Sequence, residues 1–327
     1  MARTWRVGPG GDFATISQAS AVVQAGDTVH VAAGIYRESV VTTADGTAAA
    51  PITFIADPGA VIMPAATGDT GWWVKGDYTT LDGFEVDGGN GQTWQVGVYL
   101  TGSYDTVTNA TVHNIALGPV NDANGAAGIL ADSYYGGTHA TISDSTVYAV
   151  GKDRLDQGIY ISNPDSSVTG NTVYDIASVG IHLWHNATGA LIENNTVYDS
   201  GAGILVGGGG YYNGFTGPDD YTRVIDNTVY NSDYGIAEQG YTGTHNVYDG
   251  NLLYGIVNEE YRLQNGNTWT PGSGANPPAP ATDWDDVTLP QLLDHFEDHL
   301  ERWLEKHAGG PGNGTPHFVA HIDLYWS

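Results

Sequence analysis

The phrases Gly158-Ile159-Tyr160-Ile161, Gly180-Ile181-His182-Leu183 and Gly203-Ile204-Leu205-Val206 are three copies of one pattern, a glycine followed by an apolar residue and a short strand. Gly97-Val98-Tyr99-Leu100 and Gly128-Ile129-Leu130-Ala131 precede them, and Gly235-Ile236-Ala237-Glu238 follows. A second phrase alternates with the first: Asn171-Thr172-Val173-Tyr174, Asn195-Thr196-Val197-Tyr198 and Asn227-Thr228-Val229-Tyr230, with Ser145-Thr146-Val147-Tyr148 and Asn251-Leu252-Leu253-Tyr254 as looser copies. The six glycines lie 31, 30, 22, 23 and 32 residues apart. A basic unit therefore recurs with insertions in some copies, the signature of a solenoid. Each phrase alternates with period two and is bounded by Gly, Asn, Asp or Ser, so each predicts a short strand between turns. One unit makes one coil, successive coils pair their strands in parallel, and Val and Ile stack inside. The architecture predicted is an all-β parallel β-helix, with Val98, Ile129, Ile159, Ile181, Ile204 and Ile236 as one buried column. Asparagines repeating at the turns predict a hydrogen-bonded ladder.

The flanks differ from the repeat. Residues 1–47 carry Phe13-Ala14-Thr15-Ile16, a short amphipathic segment reaching about Val23, and Gly26-Asp27-Thr28-Val29, an opening that caps the exposed end of a solenoid. Residues 48–266 are the coils. Residues 267–287 form a Pro/Gly-rich linker. In 288–327, Leu289, Leu292, Leu293, Phe296, Leu300, Trp303 and Leu304 fall at helical spacing, and Phe318 to Trp326 is apolar enough for a final strand. The helix must cover either the last coil or another subunit, which makes a homo-oligomer one expectation.

Composition narrows the partners. With 46 glycines, 14 prolines and 35 aromatic residues (Trp 9, Tyr 20, Phe 6), the chain is folded and dense in turns. Ten basic residues against 37 acidic ones give a formal charge of -27, which repels nucleic acid and anionic membrane. A polyanionic substrate would need a bound cation, or the few basic residues gathered at its site. Absence of cysteine excludes disulfides and thiolate chemistry. No apolar leader opens the sequence and no stretch of 18 apolar residues occurs, so a soluble chain is expected.

The opening Thr15-Ile16, Gly26-Asp27-Thr28-Val29 and Gly34-Ile35-Tyr36-Arg37-Glu38, followed by the Gly-Ile-Tyr-Ile and Asn-Asn-Thr-Val-Tyr-Asp phrases, resembles the pectate-lyase-like right-handed parallel β-helix proteins over residues 5–265. The resemblance implies a right-handed solenoid with an N-terminal cap and a short C-terminal helical appendage. It says little about the reaction, because this superfold hosts lyases, uronan C5-epimerases, glycoside hydrolases and phage tail-spike domains. The Asp-Pro-His motif associated with mannuronan C5-epimerases is absent, and no catalytic residue is carried over by motif.

Site candidates come instead from the register. If Ile159, Ile161, Ile181 and Leu183 point inward, Tyr160, Ser162, His182 and Trp184 point outward. Leu130, Tyr160, His182 and Leu205 then share one outward column, which makes Tyr160 and His182 neighbours able to serve as acid and base on a sugar ring. An exposed polar ladder without chemistry gives the same pattern. In the next column Trp184 reads as a platform for a pyranose face or as cover for a loop, with Asp132 and His185 beside it as substrate contacts. Lys152 and Arg154, two of the ten basic residues, sit in the insertion leading to Tyr160, where they would neutralise a uronate carboxylate and acidify its C5 proton. They read equally as a solvated pair beside Asp153 and Asp156. Asp132, Asp153 and Asp156 could collect a Ca²⁺, although their spacing fits no EF-hand. Glu238 occupies an inward slot that Leu, Ile or Val fills elsewhere, so it needs a partner. The Gly207 to Tyr221 insertion, with Tyr211, Tyr212 and Phe215, reads as a flexible aromatic wall.

The leading functional expectation is an extracellular enzyme that cleaves a uronate-containing polysaccharide by β-elimination, with Lys152, Arg154, Tyr160 and His182 at work and Asp132, Asp156, Trp184, His185, Tyr211 and Tyr212 holding substrate. Competing expectations are a β-helix hydrolase using Asp132 and Asp156 as paired carboxylates, a C5-epimerase, and a non-catalytic glycan-binding adhesin.

Overall fold

The computed structural model describes residues 2–65, 68–118, 125–211 and 214–272. The helix and terminal strand expected in 288–327, and the oligomer contact assigned to them, lie outside these residues, as does Tyr212. Among the described residues no helix is long and apolar enough to cross a membrane.

Every pairing between named strands is parallel, and each coil has three strand positions. One coil runs Thr141–Ser143, Thr146–Val150, Gln157–Ile161; the next runs Ser167–Thr169 and then Thr172–Leu183, which passes through the second and third positions without a break. The three positions stack into three faces. Inward residues repeat rung after rung: Val107, Ile142, Val168, Ile192 and Val224 on the first face; Val112, Val147, Val173, Val197 and Val229 on the second; Val98, Ile129, Ile159, Ile181, Ile204 and Ile236 on the third, all buried. Burying each such side chain is worth about 1.5–3 kcal/mol, so the rod is held by many equal increments.

The repeat glycine has a packing cause. A Cβ at Gly128, Gly158, Gly180 or Gly203 would stand 2.2–2.6 Å from a γ-methyl of Val147, Val173, Val197 or Val229. The second and third strands meet there in a corner too narrow for a side chain.

Turns between faces are set by left-handed residues that also stack in columns. One holds Asn109, Asp144, Asn194 and Asp226, another Ala149, Asp175, Asp199 and Asn231, a third Tyr78, Tyr104, His139, Asp165 and Tyr221, all with φ between 49° and 61°. Asn and Asp adopt this region at lower cost than other non-glycine residues. Inside the first turn runs the asparagine ladder: Asn171 Nδ2 donates to Asn195 Oδ1, Asn195 Nδ2 to Asn227 Oδ1 and Asn227 Nδ2 to Asn251 Oδ1, each at 2.9 Å.

The helix at the N-terminal end is short, Ile16–Ser20, opened by a Thr15/Gln18 capping box and burying Ile16 and Ala19. At the other end, Trp269–Pro271 pairs in parallel with Val247–Tyr254. Glu238 points inward as expected, and its partners are Asn246 Nδ2, Tyr248 Oη, the Gln264 backbone N–H and Asn267 Nδ2, at 2.6–2.9 Å. That buried polar knot ends the apolar column of the third face.

Candidate functional site

The third face carries an outward column whose register is Trp73, Tyr99, Leu130, Tyr160, His182, Leu205, Ala237. Tyr160 and His182 are therefore neighbours on adjacent rungs, ring centroids 5.1 Å apart and planes 20° apart. His185 reaches the same spot from the turn, 6.3 Å from Tyr160, and Trp184 lies 5.8 Å from His182. The structure thus brings Tyr160, His182, Trp184 and His185 into one cluster.

The two histidines differ in character. His182 is buried, neither ring nitrogen has a hydrogen-bond partner, and burial pushes its pKa down to about 3, with His185 adding to the effect. It is neutral at any ordinary pH. His185 Nδ1 stands 2.8 and 2.7 Å from the carbonyls of Gly209 and Gly210. Carbonyls only accept, so the proton belongs on Nδ1 and the lone pair on Nε2. Burial lowers the His185 pKa, while those carbonyls and Asp132 act to raise it.

Trp184 explains the glycine run that follows it in space. A Cβ on Gly207 would stand 2.4 Å from the indole ring, and one on Gly240 2.8 Å. Gly207 to Gly210 therefore seat the indole and hold His185, a tighter arrangement than the flexible wall expected from sequence. Tyr211 beyond them packs edge-on against Phe215 and reaches the Tyr241 carbonyl at 3.5 Å.

The acidic candidates are otherwise engaged. Asp156 is fully buried, and its oxygens accept the backbone N–H groups of Ala126, Lys152 and Asp153 at 2.8–3.1 Å. The residue expected as a substrate contact or hydrolytic carboxylate is thus turned inward, in a loop that curls over at Gly151, φ 84°. Asp132 lies on the groove but accepts from Tyr99 Oη, Ser162 Oγ and the Tyr134 N–H. Asp153 accepts from the Leu155 N–H. The three do not form a cation cage: among the described residues the group of three or more His, Asp or Glu close enough to share an ion is Glu85, Asp87 and His113, on the second face. Lys152 Nζ donates to the Gly118 carbonyl at 2.7 Å, and the Arg154 carbonyl accepts from Ser178 Oγ. Both lie in the loop before strand Gln157–Ile161, whereas Tyr160 is near its other end.

Sequence reasoning missed the lower half of the column. Trp73 stacks on Tyr99 at 5.2 Å, Lys75 Nζ lies 3.7 Å from the Trp73 ring centroid, and the indole N–H donates to Thr101 Oγ1. Trp73, Lys75 and Thr101, with Asp77, Ser103 and Tyr135, line a cleft of about 540 Å³. The signal was present in Gly71-Trp72-Trp73-Val74, the same repeat phrase with tryptophan in the isoleucine slot.

A family model described as the right handed beta helix region matches residues 73–267. Among solved structures, the chain is similar to pectate lyase Pel9A (TM-score 0.58, 18% identity, covering 88% of this chain and 85% of that one) and to an alginate lyase from Paenibacillus sp. str. FPU-7 (0.59, 19%, 80% and 99%). It is also similar to a GH136 lacto-N-biosidase from Eubacterium ramulus (0.53, 12%, 83% and 67%). A search of curated proteins finds no match. At these identities the likeness is one of fold.

Proposed function

The chain belongs to the right-handed β-helix family, and from that premise we propose that it acts on an extended polysaccharide laid along the third face, cleaving a uronate-containing glycan by β-elimination. The observation that carries this reading is the outward column of the third face, in which an aromatic and cationic stretch at Trp73, Lys75 and Tyr99 continues into the cluster of Tyr160, His182, Trp184 and His185. Solved structures similar to the chain include two named as lyases, of pectate and of alginate.

The chemistry asked of the cluster is limited. A base removes the proton at C5, the electron pair forms the C4–C5 double bond, the bond from C4 to the glycosidic oxygen breaks, and that oxygen takes a proton from an acid. His185, with its lone pair on Nε2, suits the base, and the Tyr160 hydroxyl suits the acid. His182, neutral and buried, serves to hold the Tyr160 ring in place. Lys152 and Arg154 remain the cations of the adjoining loop for the uronate carboxylate, and Trp184 and Tyr211 the apolar contacts for sugar faces. A paired-carboxylate hydrolase is less well supported, since Asp156 is buried and Asp132 already accepts three hydrogen bonds. A polymer substrate also places the working compartment outside the cell.

The test is a panel of uronate polysaccharides read by near-ultraviolet absorbance and by reducing ends. Absorbance rising with reducing ends supports β-elimination. Reducing ends without absorbance would establish hydrolysis, proton exchange at C5 without cleavage would establish epimerisation, and retention on a glycan gel without any reaction would leave an adhesin.

A further inference from the structure

The second face carries a ladder of rings, Tyr148, Tyr174, Tyr198, Tyr230 and Tyr254, stacked at 4.6–5.0 Å with planes within 5°. His113 is its first member, 4.7 Å from Tyr148 and parallel to it. The register partner of His113 on the rung below is Asp87, so the ladder ends on a carboxylate. Glu85 Oε1 stands 3.2 Å from His113 Nε2, and Asp87 Oδ1 stands 3.7 Å from His113 Nδ1. The side chain of His113 is 10% exposed, and Nδ1 is buried without a hydrogen-bond partner. Glu85 can only accept, which assigns the ring proton to Nε2; Nδ1 then faces the Asp87 carboxylate as a second acceptor, at a distance too long for a hydrogen bond and without a positive centre between them.

We propose that Glu85, Asp87 and His113 form a site for a divalent transition ion of the Zn²⁺ class. The ion bridges His113 Nδ1 and Asp87, and His113 donates its Nε2 proton to Glu85. Nitrogen and oxygen ligands each about 2.0–2.2 Å from a tetrahedral Zn²⁺ lie about 3.4 Å apart, so the observed 3.7 Å closes with a small side-chain shift. A metal-bound histidine that gives its other N–H to a carboxylate is the usual outer arrangement of such sites, and Glu85 is placed for it. Asp87 is already aimed, since its Oδ1 accepts from the Gly89 N–H at 2.8 Å and from Asn114 Nδ2 at 2.9 Å. Tyr148 fixes the plane of the imidazole. The Asp87 side chain is 19% exposed, so the remaining positions of the ion reach water or a ligand on its side. The imidazole donor selects Zn²⁺, Co²⁺ or Ni²⁺ over Ca²⁺ and Mg²⁺. This matters in a chain of charge -27, whose surface attracts any dication. The ion would tie the rung of Glu85–Asp87 to that of Thr111–Ile115.

The rival account is a protonated His113 shared by two carboxylates, which binds no metal. Calorimetric titration of the purified full chain with Zn²⁺ at pH 7.5 in a large excess of Ca²⁺ separates the two. One Zn²⁺ per chain, weakened at least 10-fold by Asp87→Asn and by His113→Gln, and a melting temperature that Zn²⁺ raises in the parent but not in these variants, support the site. Absence of Zn²⁺ uptake, displacement of Zn²⁺ by Ca²⁺, or parental uptake by both variants would overturn it. Should His113→Gln not fold, the visible spectrum of bound Co²⁺ gives the second route: tetrahedral bands altered by Asp87→Asn support the site, and an octahedral aquo-ion spectrum refutes it.

Discussion

Tyr160 and His182 are held against each other by the register alone, and they are expected to respond differently to substitution. Removing a hydroxyl that donates a proton in the transition state lowers turnover by about 10²- to 10⁴-fold. Tyr160→Phe should therefore lose that much kcat on the true substrate while its melting temperature stays within a degree or two of the parent. Parental turnover in Tyr160→Phe would move the acid elsewhere. His182 should show itself in stability. Its folded-state pKa is pushed down to about 3 from an ordinary 6.5. Between those values the unfolded chain binds a proton that the folded chain refuses. Its contribution is therefore complete above pH 6.5 and declines as the pH falls toward 3. His182→Phe, which keeps a ring in the stack and removes the titration, should flatten the acid side of a plot of melting temperature against pH. An unchanged acid slope would show that His182 gains a proton without penalty.

The strand elements were legible because one rung repeats another. The repeat glycine and the valine of the Asn-Thr-Val phrase are the two halves of one corner, so their recurrence in the sequence reports a packing requirement. The same register gave the neighbours Tyr160 and His182. Loops were not legible. The inward turn of Asp156 depends on the curl at Gly151 and on three backbone N–H groups from two rungs, contacts that no period announces. Trp73 escaped because Gly71-Trp72-Trp73-Val74 hides the repeat behind an indole in the core position. A glycine run reads in sequence as flexibility, whereas the missing side chain of Gly207 makes room for Trp184. Gly207→Ala should accordingly push the indole out of its seat. The expected result is a raised KM with kcat close to the parent and a lowered melting temperature, since the same Cβ would stand 2.9 Å from the Gln239 carbonyl oxygen, measured by steady-state kinetics, thermal melts and tryptophan fluorescence. An unshifted emission spectrum would mean that the ring has other room to move.

Across the whole molecule, the buried acids set the alkaline limit of stability. Burial raises Asp105 and Asp219 to about 8 from 3.8. Asp219 has no hydrogen-bond partner on either oxygen, and Asp105 has one oxygen held by the Thr79 N–H and the other unpartnered. A raised folded pKa contributes stability that is complete below the unfolded value and is lost as the pH rises through the folded one. The rod should therefore weaken between pH 4 and pH 8 on account of these groups, opposite in sense to His182. Asp219→Asn, which cannot ionise, should reduce that loss in urea unfolding series at pH 6 and pH 9. An identical difference between the two pH values in parent and variant would exclude Asp219 as a cause.

The corner columns of left-handed residues also govern how such a molecule grows. Thr172 pairs with Thr196, Val173 with Val197 and Tyr174 with Tyr198, so residues 172–195 form a cassette whose two ends are equivalent in space. Copying that segment in tandem presents each neighbour with the edge it already meets. The lengthened protein should fold, extend by one strand spacing of about 4.8 Å in small-angle scattering, and carry a second set of His182, Trp184 and His185. Gene duplication adds copies of this side-chain cluster to the rod one coil at a time without redesigning its core. Aggregation of the duplicated chain would mean instead that the coils are individually fitted and not interchangeable.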